Sequence, residues 1–357
     1  MNTNKINVCV LFGGVSPEHD ISLRSAETVL SNIDREKYNV FPVGITKGGD
    51  WIHYCESQWH DLPTHVWESS KSNKKAIISP THDGSLIIFS DEGVKTVHID
   101  VLYPVLHGEN GEDGSIQGLA QLANLPCVGP DLCASAVSMD KAVTKIIAKD
   151  LNVPQADWYV LSRHNYALDE THHIERIEKQ LQYPVFVKPA RTGSSVGVTK
   201  AKNRDELINA LNVAFEYDNK LLVEEFIKGR EIEVAVLGNQ DPIAPVCGEI
   251  ESGVEFYDFD AKYLTSTSTT TIPAKLSKEV SDRVRNYAIE IYSGIGCAGL
   301  SRVDFFVTED NDVYFNEINT LPGFTSISMY PKMMKYHGIE IQDLISSLIE
   351  LAIQAKD

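Results

Sequence analysis

The stretch from Leu300 to Pro322 reads LSRVDFFVTEDNDVYFNEINTLP. Two apolar runs, Leu300–Val307 and Asp312–Ile318, flank a short polar turn at Thr308–Asn311, which reads as two neighbouring strands. In a strand, residues i and i+2 face the same side. Arg302 and Asp304 therefore share one face, and so do Glu317 and Asn319. If the turn is the two residues Asp310-Asn311, Asp304 lies directly opposite Glu317. Carboxylates opposed in this way repel each other. A hard cation would remove the repulsion, and Asp, Glu and Asn oxygens are the ligands Mg²⁺ takes alongside phosphate. By the same alternation Val303, Phe305, Val307, Tyr314 and Ile318 cover the opposite face, while Phe306 and Phe315 fall among the acids. A face that mixes aromatics with acids is not wholly in water. The turn at Leu321-Pro322-Gly323-Phe324 follows at once. The Gly323 N–H and Arg302 could stabilise a developing oxyanion, although an ordinary Pro-Gly turn has the same composition.

Outward from this hairpin, strand pairs separated by helices suggest α+β domains. Pro184–Lys188, Gly197–Ala201, Leu221–Glu225 and Ile232–Leu237 read as strands, Arg204–Glu216, Lys278–Ser293 and Ile341–Ala355 as helices. The first third differs. Ile6–Phe12, Tyr38–Ile45 and Val101–Leu106 are short apolar runs, alternating with helical spacing at Ser22–Ile33 and Ser115–Ala123. That order suggests an open, mostly parallel sheet. Trp51–Lys75 reads as an irregular excursion, and its histidines (His53, His60, His65) lack metal spacing. Ser138–Asp150 reads as one helix.

The chain has 357 residues, enough for two or three domains, and a formal net charge of −18. That balance argues against nucleic acid or anionic lipid as main partner, but not against a small anionic substrate held by a local cationic cluster. No run has the length of a membrane span or a signal peptide. The six scattered cysteines form no CxxC pair and suggest reduced thiols in a cytosolic protein.

Three loops after strands carry polar chemistry. The first, Gly13-Gly14-Val15-Ser16-Pro17-Glu18, is neither a P-loop nor a dinucleotide fingerprint. Ser16-Pro17 reads as a cap and first helical residue. Glu18 then stands at the mouth of the sheet, as a ligand group or merely favouring the helix dipole. The second loop, His107-Gly108-Glu109-Asn110-Gly111-Glu112-Asp113-Gly114, suggests a site or a solvated turn. The third, Lys188 to Gly197, contains GSSVG, which matches the hydrolase elbow at Ser195. The elbow needs a helix after it, and Val198–Lys200 looks extended. Glycines, hydroxyls and two cations better suit closure over polyphosphate.

At this point LFGGVSPEHDISL, VLHGENGEDGSIQG, SMDK, VFVKPARTGSSVGV, LVEEFIKGREIEV, EFYDFDAKY, GLSRVDFFV and NEINTLPGFTSISMYP stand together in order. The chain resembles bacterial D-alanine–D-alanine ligases of the ATP-grasp superfamily over nearly its whole length. The resemblance implies an α/β (α+β) ATP-grasp fold: an N-terminal open parallel-sheet domain at 1–130, and two α+β domains at 131–227 and 228–357 clasping ATP, with a mobile loop at 251–272. It implies that Lys141 and Lys188 hold ATP phosphates and that Ser195 belongs to the phosphate loop. Glu224, Glu225, Phe226 and Ile227 would bind adenine, with Glu224 reading the base, and Glu231 the ribose. Asp304, Glu317 and Asn319 would hold two Mg²⁺ ions, with Mn²⁺ as a substitute. Glu18 would anchor the first D-alanine's ammonium, near His107. Arg302 and Gly323 would form the oxyanion hole. Ser194, Tyr263 and Glu18 would close the loop, and Lys262 would reach the transferred phosphate. Ser328 and Met329 would line the second substrate's pocket. Resistance-type ligases that use D-serine or D-lactate tend to differ at the positions of Tyr263 or Met329, so these two residues favour D-alanine. The implied state is a cytoplasmic homodimer.

Overall fold

The computed structural model describes residues 5–55, 59–251 and 269–356. Their strands form three sheets. The first contains β1 (Ile6–Gly13), β2 (Tyr38–Ile45), β3 (Trp51–His53), β4 (Lys74–Ile78), β5 (Ser85–Ser90), β6 (Gly93–His98) and β7 (Val101–Leu106), in the order β6-β5-β4-β3-β2-β1-β7. β1 runs parallel to both β2 and β7. This centre is buried on both faces, as parallel strands require, and β7 is buried at every residue. The expected parallel sheet is therefore present at the centre. It fails beyond β2, where every pairing out to β6 is antiparallel. β3 has only three residues, β4 opens on two lysines and β6 is largely exposed, so these carry no clean apolar run, whereas β5 does carry one at Leu86–Phe89. The supposed irregular excursion holds β3, two 3₁₀ turns at Trp59–Thr64 and Val66–Ser69, and the start of β4.

Helix α1 (His19–Asn32) starts after Glu18, not at Pro17. Ser16 Oγ instead accepts the Glu18 N–H at 3.1 Å, which fixes the turn that carries Glu18. Helix α2 (Ser115–Leu122) completes this part.

The expected single helix at Ser138–Asp150 is two, α3 (Leu132–Met139) and α4 (Lys141–Asp150). Asp140 breaks the run. Its carboxylate caps α4 through the Val143 N–H at 3.2 Å, placing Lys141 in the first turn. The second sheet comprises β8 (Trp158–Ser162), β9 (Val185–Pro189), β10 (Thr199–Ala201) and β11 (Lys220–Glu225), all antiparallel. Helices α5 (Arg163–Leu168), α6 (Glu170–Gln180) and α7 (Arg204–Ala214) accompany it. Leu161, Ile177, Val187, Leu211 and Val223 belong to its own core.

The third sheet has the order β14-β13-β12-β15-β16, from β12 (Arg230–Leu237), β13 (Cys247–Glu251), β14 (Thr269–Thr271), β15 (Leu300–Val307) and β16 (Val313–Asn319). The hydroxyl run Thr265–Thr271 thus ends in a strand; its earlier residues lie outside the described residues. Helix α8 (Lys278–Ile295) covers one face of the sheet. Helices α9 (Met329–Tyr336) and α10 (Ile341–Gln354) join the third sheet to the first. Phe12, Leu23 and Val101 share one apolar cluster with Ala235, Met333 and Leu348. The first and third sheets are thereby locked together, whereas the second stands on a separate core.

Asp304 does pair with Glu317, but by a different route from the two-residue turn. The turn spans five residues, Thr308–Asp312, closed by the Thr308 N–H to Asp312 O at 2.9 Å. An extra residue, Asn316, bulges from β16 and restores the pairing. The bulge reverses the alternation beyond it. Phe315 therefore packs on Phe305 in the core, ring centroids 6.0 Å apart, while Tyr314 takes the other face beside Phe306. This is the reverse of the expectation for both residues.

Candidate active site

The register across β12, β15 and β16 places Glu233, Asp304 and Glu317 side by side on adjacent strands. Three neighbouring carboxylates require positive charge. Arg302 supplies part of it, holding Asp304 through Nε at 2.8 Å and Nη2 at 2.7 Å and lying 3.2 Å from Glu233. Asn319 Nδ2 donates to Asp304 at 2.9 Å. Lys141 Nζ lies 3.6 Å from Glu317 and donates to Thr192 O at 2.8 Å. An all-oxygen donor set beside cations that suit phosphate fits a hard divalent ion. Glu233 was not expected; its spacing of two from Glu231 was the available signal.

A cavity of about 250 Å³ opens on one side of this row. Lys188, Ser195, Glu224, Glu225, Phe226, Ile227 and Glu231 all line it, as expected. Glu224, which also lines the cavity, is engaged by two lysines. Its buried carboxylate pairs with Lys188 and, at 2.6 Å, with fully buried Lys145. Burial alone would raise the Glu224 pKa, but the two ammonium groups outweigh it and hold it at about 2. Lys145 is one helical turn from Lys141, a spacing that could have revealed it. Lys188 also donates to Asn316 at 3.3 Å, so the bulge serves the site. Phe226 packs against Phe186, with Lys200 Nζ 3.9 Å from the Phe226 ring centre.

The β9–β10 loop covers the row from the second sheet. Ser194 and Ser195 both adopt left-handed backbone, at φ +50° and +58°. The chain then enters β10, not a helix, so the hydrolase elbow is absent here. Ser194 Oγ donates to Glu18 Oε1 at 2.5 Å, the Ser194–Glu18 part of the expected hydrogen-bonded set, and so ties this loop to the turn before α1. Glycines make this approach possible. A Cβ on Gly193 would stand 2.8 Å from Glu18 Oε2, and one on Gly108 2.4 Å.

A second cavity, about 460 Å³, lies on the other side of the row. Glu18, His107, Gly323, Ser328 and Met329 line it with Glu112. His107 is buried. Its Nδ1 donates to Leu321 O at 2.9 Å, since a carbonyl only accepts. Its Nε2 accepts from Ser25 Oγ at 3.0 Å, and Ser25 in turn accepts the Phe324 N–H at 3.1 Å. This chain fixes the Leu321–Phe324 turn against α1. Burial lowers the His107 pKa against the pull of Glu18, keeping the ring neutral. Glu112 accepts from the Gly108 and Leu321 amides at 2.8 and 3.2 Å. Burial and then the nearby Glu18 push its pKa to about 8. Ser25 and Glu112 were not singled out as site residues. Lys141, Ser194, Glu233, Arg302 and Glu317 line both cavities and mark their junction. Lys262 and Tyr263 lie outside the described residues, as does most of the proposed loop.

Comparison with known proteins gives the family. A family model for the D-ala D-ala ligase N-terminus matches residues 7–130, and one for the D-ala D-ala ligase C-terminus matches 147–350. The D-alanine–D-alanine ligase of Clostridium acetobutylicum is 48% identical, over 98% of both chains. That of Caldicellulosiruptor bescii is 46% identical, over 98% of this chain and 96% of the relative. Among solved structures, the VanG D-Ala:D-Ser ligase from Enterococcus faecalis superposes with a TM-score of 0.90 at 37% identity, over 98% of this chain and all of the other. The D-alanine–D-alanine ligase from Coxiella burnetii superposes with 0.84 at 36% identity, over 99% and 95%. The chain belongs to the D-alanine–D-alanine ligase family.

Proposed function

We propose that the chain joins two D-alanines into D-alanyl-D-alanine at the expense of ATP, for peptidoglycan precursor synthesis. The carrying observation is the junction itself: a phosphate-suited cavity and a small-substrate cavity meet at Lys141, Arg302, Glu233 and Glu317. In this reading the adenosine lies along Glu225–Ile227 and Glu231, and the phosphates reach Lys141, Lys188 and the Ser194-Ser195 loop. Glu224 positions Lys145 and Lys188 instead of touching the base. Glu18 holds the ammonium of the first D-alanine with Ser194, and neutral His107 stands beside it. Tyr263 and Lys262 complete the closure and the phosphate contact. We also place the domain boundaries at 131 and 228, and assign a cytoplasmic homodimer; these rest on the family resemblance. Among the described residues, no helix is long and apolar enough to cross a membrane.

The reaction has two steps. A carboxylate oxygen of the first D-alanine bonds to the γ-phosphorus as the β–γ bridge breaks, giving an acyl phosphate and ADP. The second D-alanine's amine then attacks the acyl carbon, loses a proton, and phosphate leaves. Arg302 and the Gly323 amide stabilise the tetrahedral oxyanion between them. Asp304, Glu317 and Asn319 would hold two Mg²⁺ ions, or Mn²⁺, which when bound neutralise the transferring phosphoryl group. Chelation with EDTA is expected to abolish ADP release, and added Mg²⁺ to restore it. Release that survives chelation would remove the metal from this reading.

The acceptor is settled by competition. With ATP, Mg²⁺ and D-alanine supplied, we expect D-alanyl-D-alanine to dominate near neutral pH over products from added D-serine or D-lactate, as Met329 favours. The VanG likeness supplies the contrary reading, a resistance-type ligase. A product pool dominated by D-Ala-D-Ser or D-Ala-D-Lac would establish that reading instead.

A further inference from the structure

We propose that His19, His65 and Glu68 form a binding site for one divalent transition ion of the zinc class, separate from the acid row. His19 opens α1 and is fully buried. Its Nδ1 donates to Gly14 O at 2.8 Å, which leaves the Nε2 lone pair outward from that bond. This Nε2 is buried and has no hydrogen-bond partner among the described residues. A buried imidazole nitrogen in that condition is uncommon unless it binds something unseen. It points towards Glu68, 3.9 Å from Oε1. His65 Nδ1 lies 3.5 Å from the same oxygen. One ligand atom from each of the three residues falls within 4.8 Å of the others.

The surroundings suit a metal ligand set. A ligating histidine usually donates its other ring N–H to a carbonyl or carboxylate, which fixes tautomer and orientation. His19 does so to Gly14 O. His65 has the matching partner in Asp20, with Nε2 3.4 Å from Oδ1. Buried Trp67 anchors the turn between His65 and Glu68. Around zinc, nitrogen and oxygen ligands at about 2.0–2.1 Å stand roughly 3.4 Å apart in a tetrahedron. His65 now stacks on His19, ring centroids 5.8 Å apart and planes 9° from parallel, so half-exposed His65 must turn out of that stack for its Nδ1 lone pair to meet the ion. Two imidazoles and one carboxylate favour zinc or its neighbours over magnesium. Water would take the fourth position. The ion would tie the 3₁₀ turn Val66–Ser69 to the start of α1, next to Glu18.

The test uses the full chain, stripped of metal and held with saturating Mg²⁺ and ADP so that the acid row is filled. Zn²⁺ is titrated by calorimetry and Co²⁺ by visible absorption. We expect one further equivalent to bind, and Co²⁺ to show the intense bands of a four-coordinate nitrogen–oxygen site. His65→Ala and Glu68→Gln should each weaken binding at least about tenfold, with the thermal midpoint of the metal-free protein unchanged. No additional equivalent overturns the proposal. So does unchanged binding in both variants, or a thiolate charge-transfer band, which would place the ion on a cysteine. If a variant fails to fold, the Co²⁺ spectrum of the unaltered chain still decides.

Discussion

Replacing Arg302 by alanine is expected to lower kcat about 10³-fold, with a much smaller change in KM for ATP. The size follows from losing a cation aimed at charge that develops only during reaction. Arg302 lines both cavities, and no other guanidinium among the described residues does so. It is held rigidly by two bonds to Asp304 and by Glu233. A pre-oriented group needs no reorganisation as the oxyanion forms, so its loss falls on kcat. Arg302→Lys should restore little, because an ammonium cannot reproduce the planar fork on Asp304. Steady-state kinetics on each variant, with thermal melting to confirm folding, checks this. A folded Arg302→Ala enzyme within tenfold of the parent in kcat would remove Arg302 from the oxyanion role.

The same residues show what a sequence reading can reach. β1, β7 and β15 were legible because buried strands are short apolar runs bounded by turns. The Asp304–Glu317 pairing was reached from alternation and an assumed two-residue turn, but it holds only because the bulge offsets the longer turn that is present. The bulge at Asn316 was not legible, because one extra residue leaves no local pattern, and it exchanged the sides of Tyr314 and Phe315. β3, β4 and β6 were lost because short length or exposure blurs the period, while the apolar run Leu86–Phe89 of β5 was an available signal. Glu224 was found but its ion pairs were not, since nothing local says that Lys145 and Lys188 converge on it. His19, His65 and Glu68 come together only when α1 packs on a 3₁₀ turn, so their spacing resembles no metal motif. The packing of α10 against α1 is likewise a property of the fold.

Glu224→Gln is expected to destabilise the protein by about 3–5 kcal/mol, even though the side chain keeps its shape. Breaking a buried pair from one side leaves the other charge without compensation, and that penalty dominates. Here the stranded group is Lys145, with 1% of its side chain exposed. Lys188 is more open to the cavity and can turn towards solvent or phosphate. Adding Lys145→Met to Glu224→Gln should recover most of the loss, because neither buried charge then remains. The pH dependence gives an independent check. The folded pKa of Glu224 is depressed from 4.5 to about 2. A depressed carboxylate contributes stability that is full above its unfolded pKa and lost as pH falls through the folded one. The shift corresponds to roughly 3 kcal/mol, offset in part by Lys145, whose own pKa burial lowers despite Glu224. Urea unfolding of the parent should therefore lose stability between about pH 5 and pH 2 more steeply than Glu224→Gln, which has no group titrating there at this position. Parallel curves in that window, together with a destabilisation below about 1 kcal/mol at pH 7, would mean that the pair is solvated and that Glu224 is free to contact the nucleotide.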